Sequence, residues 1–254
     1  MKNSLFVFFI MLLFMTVAAK PYYPKIKVSK ASGLTPENAL NNPIWKGVQQ
    51  HQLMHFIRSM VHFYRTPVEQ GFVRYLYDDD YFYILAEFTD SDIVTHATNN
   101  GGHLYSQGDL LEVFIKPEKA NYYWEIYAAP RNLNTRFFFS SSATVGLPSG
   151  FVHRDCGIKV FTKIDGTLND SSDKDKLLTI LMAVPIPELN RPHLQEAEKH
   201  PAGTELFAPG HKWRIQSARY NYSRYLPDVE LSSFPQTVNT YHNLDYFAEI
   251  EFVK

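Results

Sequence analysis

The chain has 254 residues, with 25 Lys+Arg against 26 Asp+Glu and a single cysteine. A formal net charge of -1 offers no broad basic field for nucleic acid, and one cysteine forms neither an internal disulfide nor a cysteine-based zinc site. With 45% hydrophobic and 15% aromatic residues, the chain is globular rather than disordered.

In chain order, Lys2 precedes an apolar run from Leu5 to Met15, and Val17 and Ala19 place small residues at a cleavage site. This pattern is that of a secretory signal peptide over residues 1–19, cleaved after Ala19. The remainder, 20–254, has no second apolar stretch long enough to span a bilayer. It is expected to be a single secreted or periplasmic domain, monomeric and free of the membrane once cleaved. Gln49–Met60 reads as helical, and His51 and His55 would then share one helix face, although no third metal ligand is evident. Short runs rich in Val, Ile, Tyr and Phe follow: Tyr81–Phe88, Leu110–Lys116, Tyr123–Ala129, Thr135–Ser140, Gly157–Lys163, Leu177–Val184, Trp213–Tyr220 and Tyr246–Val253. Turn clusters such as Asp78-Asp79-Asp80 separate them. A second helical reading falls on Pro187–His200, and Cys156 reads as a small buried filler. The pattern predicts an all-β fold, an antiparallel β-sandwich of jelly-roll type with one or two short helices.

Alternation assigns faces. Leu111, Val113 and Ile115 share one side of their strand, opposite Glu112 and Phe114, and Tyr123, Glu125 and Tyr127 oppose Trp124 and Ile126. Trp213, Ile215 and Arg219 oppose Arg214 and Gln216. A face that mixes carboxylates with aromatic rings is expected to be solvated or to recognise a ligand. Trp45, Trp124 and Trp213 are read as core. No nucleophile elbow, zinc-protease motif, P-loop or dinucleotide fingerprint occurs. The acids Asp109, Glu112 and Glu125 could supply a glycosidase pair. Asp80, Asp90 and Asp92 flank one strand with the hard oxygen ligands that Ca²⁺ takes, although Asp is also a favoured turn residue.

Several segments taken in order resemble the family 9 carbohydrate-binding modules: Trp45 after KASGLTPENALNNPIW, VRYLYDDDYFYILAEFTDSDI from Val73, GDLLEVFIKP from Gly108 and YYWEIYAAPRN from Tyr122. MAVPIPEL from Met182, KWRIQSARY from Lys212 and ELSSFPQTVNTYHNLDYFAEIEF from Glu230 continue the match. The resemblance implies a β-sandwich without its own catalytic centre that binds an oligo- or polysaccharide, often at glycan ends, and frequently carries structural calcium. It also implies support of polysaccharide breakdown, with a glycoside hydrolase as partner. By the family pattern Tyr105 is an aromatic platform, Glu112, Arg131 and Arg219 are polar contacts, and Phe234 stands where relatives carry Trp. Tyr105→Ala or Arg219→Ala is then expected to weaken glycan binding at a nearly unchanged melting temperature. Two other functions compete: a related sandwich holding haem through a Met and a His or Lys, and a glycoside hydrolase acting through Glu112.

Overall fold

Tight turns set by side chains begin the sheet. The Asp78 carboxylate accepts hydrogen bonds from the backbone N–H groups of Asp80 (2.8 Å) and Tyr81 (2.6 Å) and from the Tyr83 hydroxyl (2.8 Å). This closes the hairpin between β4 (Gly71–Tyr77) and β5 (Tyr81–Thr89). The computed structural model describes residues 23–56, 65–139, 157–190 and 206–254. The expected signal segment, Met60 and Cys156 lie outside them, as does the end of the helix expected over Pro187–His200.

The remaining strands are β1 (Lys25–Lys30), β2 (His51–Gln52), β3 (Met54–His55), β6 (Leu110–Pro117), β7 (Tyr123–Ala129) and β8 (Leu133–Phe139). They continue with β9 (Lys159–Asp165), β10 (Leu177–Pro185), β11 (Trp213–Asn221), β12 (Glu230–Phe234) and β13 (Ala248–Val253). Among the described residues two short α-helices accompany them, α1 (Pro36–Ala39) and α2 (Ile186–Asn190). Thr35 caps α1 in a reciprocal capping box with Asn38, and Pro36 opens the helix with a residue that needs no N–H partner. Gln49–Met60, expected as helix, instead enters two short strands within its described part, so His51 and His55 do not share a helix face.

Neighbouring strands run in the order β8-β7-β6-β11-β13-β1-β4-β5-β10-β9. The all-β expectation holds, but the sheet is mixed rather than purely antiparallel. Two antiparallel four-stranded blocks, β8-β7-β6-β11 and β4-β5-β10-β9, are joined by the parallel pair β13 and β1, and β1 also meets β4 in parallel. The sheet curls until its ends nearly meet. Asn132, in the left-handed turn after β7, accepts from the N–H and hydroxyl of Thr162 on β9, at 2.8 and 2.9 Å.

Curling puts the inward residues of both blocks in one core. Leu111, Val113, Ile115, Trp124, Trp213 and Ile215 face Tyr75, Phe82, Ile84, Phe88, Ile180 and Met182. Met182 is thus a packing residue in the interior, which leaves it poorly placed to serve haem. The outer face of the β4–β5–β10 block is covered by the segment around α1, where Trp45 and Leu34 pack on Tyr83, Leu85 and Leu181. All three tryptophans are buried, as alternation and strand context lead one to expect. The outer face of the other block is covered differently, and there the candidate site lies.

Candidate functional site

The outward residues of β6, β7 and β11 follow the register: Phe114 lies opposite Glu125 and Gln216, and Glu112 opposite Tyr127 and Ala218. This face is neither solvated nor ordinary core. Tyr241 and Phe247 pack over it with Phe56, and Leu104 and Ala97 cover it from the loop before β6. Beneath that cover Glu112 and Glu125 are each only 2% exposed. Between the cover and the sheet remains a cavity of about 420 Å³, lined by Phe56, Glu112, Tyr220, Leu231, Tyr241 and His242, with Asn239 and Thr240 at its rim.

The polar groups of the face fall into two sets. One is satisfied: Tyr127 donates its hydroxyl proton to Glu125 Oε1, the Tyr123 hydroxyl meets His242 Nδ1 at 2.8 Å, and Thr237 donates to Gln216 Oε1 at 2.6 Å. The other is not. Oε2 of Glu112 and Oε2 of Glu125 accept no hydrogen bond from any donor among the described residues. Burial pushes the Glu112 carboxyl well above the usual carboxylate range, and the nearby Glu125 charge adds to the push. Burial also lowers the His242 imidazole, against the pull of Glu125. Its Nε2 stands 3.9 Å from Glu125 Oε2, beyond hydrogen-bond reach.

The expected sugar contacts divide between places. Glu112 lines the cavity, and half-buried Tyr105, not itself among the lining residues, has its ring 5.4 Å from that of the lining Tyr220 and 6.3 Å from Tyr127. Arg131 is exposed in the β7–β8 turn with φ 67°, away from the cavity lining. Arg219 faces the opposite side of β11. Its guanidinium is 1% exposed, donating to Asp90 Oδ2 at 2.9 Å and to the Glu69 carbonyl at 3.0 Å, above the Phe88 ring. Phe234 shares that inner side and stacks on His51 at 4.4 Å. Burial lowers the His51 imidazole to about 4. Tyr105 and Glu112 are therefore brought together, whereas Arg131, Arg219 and Phe234 are not.

Alternation alone groups Glu125 and Tyr127 with Glu112. Tyr241 and His242 come from a loop whose sequence carries no periodicity, and nothing short of the fold brings them here.

The residues proposed for calcium do not form one site. Asp80 is exposed at the β4–β5 turn, while Asp90 and Asp92 lie past the other end of β5. That nine-residue strand spans roughly 30 Å. Asp90 is already engaged by Arg219 and the Asp92 N–H, and Asp92 Oδ2 takes the Arg224 N–H at 2.8 Å. Neighbouring carboxylates behave alike: Asp109 accepts the N–H groups of Val94 and Tyr222, and Asp175 those of Ile93 and Thr167. No cluster of three metal-binding acids, His or Cys occurs among the described residues. Asp90 and Asp92 thus fasten loops by taking backbone donors, while Asp80 stands apart from them at the other end of β5.

Gly108 secures the approach to the site. It has φ +140°, and a Cβ there would sit 2.3 Å from the Val94 carbonyl oxygen. It bridges to Thr95 directly before β6 and follows the Tyr105 turn. Gly108→Ala is expected to cost about 1–3 kcal/mol through backbone strain. Thermal unfolding should register this as a fall of several degrees.

Comparison with known proteins fits this architecture. A family model described as carbohydrate family 9 binding domain-like matches residues 39–167. A solved structure of a candidate carbohydrate-binding protein from Bacteroides uniformis superposes with a TM-score of 0.65 at 11% identity, covering 91% of this chain and 100% of the other. A family 9 carbohydrate-binding module from Caldicellulosiruptor kristjanssonii, in complex with glucose, gives 0.53 at 16% identity, with 90% and 95% covered. Its complex with cellotriose gives 0.52 at 15%, with 90% and 93% covered. At these identities the likenesses concern the fold. No curated protein matches the chain.

Proposed function

Because the chain belongs to the carbohydrate family 9 binding domain-like family, we propose that it binds carbohydrate without catalysis, in the cavity over β6, β7 and β11. The observation that carries this reading is Glu112: a buried carboxyl-bearing side chain that lines a cavity walled by aromatic rings and keeps its Oε2 without a described donor. A pyranose supplies what such a site lacks. Its apolar C–H face packs on rings such as Tyr220 and Tyr241, and its hydroxyls donate to carboxylate oxygens in charge-assisted bonds. The solved complexes of a structural neighbour with glucose and cellotriose support a saccharide ligand.

A binding role suits the two carboxyl groups better than hydrolysis does. Only Glu112 lines the cavity, whereas Glu125 is held by Tyr127, so two acids do not flank one cleft as a glycosidase requires. The protein would be exported by its N-terminal signal and would assist a separate hydrolase in polysaccharide breakdown. Edman sequencing of the exported protein is expected to begin at Lys20.

Calorimetric titration with glucose and cellotriose tests the site. Tyr220→Ala is expected to weaken binding roughly tenfold by removing a stacking wall worth about 1.5 kcal/mol. Unchanged affinity in that variant would move the site elsewhere, and glycan fragments released on incubation would favour the hydrolase.

A further inference from the structure

Resting on the sugar reading, we propose that the cavity is selective for sugars bearing a free amino group, with the ammonium seated against Glu112 and the charge of neighbouring Glu125 reinforcing it. Three features of the site lead to this. First, its charge is one-sided. Glu112 lines the cavity, Glu125 lies close enough to hydrogen-bond with it, and among the described lining residues there is no Lys or Arg. Burial and the Glu125 charge push the Glu112 carboxyl up, so the two groups ionise together only against a cation, which a neutral sugar hydroxyl does not supply.

Second, the unmet capacity matches an ammonium. Glu112 Oε2 and Glu125 Oε2 both lack donors, although each residue is only 2% exposed. An ammonium carries three donors and one positive charge, enough to pair with the Glu112 carboxyl from the cavity and to offset the Glu125 charge beside it. Third, the walls favour a cation. Phe56, Tyr220 and Tyr241 line the cavity, and ring faces attract cations most strongly where water is excluded. Asn239 and Thr240 at the rim remain for the neutral hydroxyls. His242, which burial keeps toward its neutral form, does not compete for the carboxylates as a cation.

Calorimetry with three trimers of one linkage and ring type, differing only at C2, separates the possibilities: cellotriose, the β-1,4 glucosamine trimer and its fully N-acetylated form. At about pH 6, where the amine is cationic, the glucosamine trimer is expected to bind at least about tenfold tighter than either other trimer. Glu112→Gln is expected to bring that ratio close to one. Glu125→Gln is expected to do the same and serves if the first variant does not fold. Equal or tighter binding of cellotriose would overturn the amino-sugar inference and leave the sugar site standing. A tenfold preference that survived both substitutions would overturn the placement of the ammonium. Binding of none of the three would overturn the sugar reading itself.

Discussion

Replacing Arg219 with Met is expected to lower the unfolding free energy by about 3–5 kcal/mol, the usual cost of removing one partner from a buried ion pair. The side chain is 1% exposed and its partner Asp90 is fully buried. Its other guanidinium nitrogen holds the Glu69 carbonyl, so the loss would also loosen the segment before β4. Asp109 lies close enough for its charge to act against Asp90, and the Asp90 carboxylate would then stand beside that like charge without its cation. Burial already lifts the Asp90 carboxyl to about 6, with Arg219 opposing the rise. A carboxyl raised on folding contributes stability that is complete below its unfolded value, about 3.9, and lost as pH climbs through its folded value. Without Arg219 the folded value rises further, so the deficit of the variant should be small near pH 5 and grow toward pH 8. Urea unfolding at both values checks this, and Arg219→Met combined with Asp90→Asn should recover much of the loss. A deficit below about 1 kcal/mol at pH 8 would place the pair among weak surface bridges. The expectation from sequence that Arg219 could be truncated without thermal cost is reversed here, because the residue serves the interior.

Replacing Glu112 with Gln is expected to separate stability from binding. The substitution keeps the shape of the side chain while removing an ionisable group from a buried face beside Glu125, and should stabilise the fold by on the order of 1 kcal/mol at pH 8. The Glu112 carboxyl is raised by burial and by Glu125, so its stabilising contribution is present at low pH and lost as pH rises through the folded value. The advantage of the variant should therefore fade as pH falls toward the ordinary glutamate value of about 4.3. Binding should move the other way. Loss of a charged acceptor costs about 2 kcal/mol, or roughly thirtyfold in affinity for a sugar held at the cavity. Thermal melts across pH, paired with calorimetric titration of cellotriose, read both effects. A variant less stable than the parent at pH 8 would show that Glu112 is structurally paired.

Much of the sheet was legible because alternation survives burial. Tyr123–Ala129 matches β7 residue for residue, and Leu110–Lys116 misses only Pro117 of β6. The facing of Glu112, Glu125 and Tyr127 also followed from that period. What stayed hidden depended on distant partners. β1 has only two apolar residues to announce it, Ile26 and Val28, and becomes a strand because β13 and β4 flank it. The cover of the site was equally hidden. Tyr241 is seated by its edge contact with Phe56, far away in sequence, and by hydroxyl bonds to backbone carbonyls of β11 and β12. Arg219 was placed on the correct side of its strand, but no local pattern announces that Asp90 waits there.

The parallel seam also sets a timetable for folding. β1 aligns Lys25 with Glu249 and Ser29 with Val253, partners roughly 220 residues apart, a separation that slows closure through its loop entropy. As the ribosome emits the chain, the first strand stays unmatched along one edge until the thirteenth has emerged. Each hairpin block can pair locally beforehand, but the parallel join between them waits for the final residues. Deleting Ala248–Val253 would remove that parallel seam and, among the described residues, leave the two halves of the barrel-like sheet linked by strand pairing only through the short strands β2 and β3.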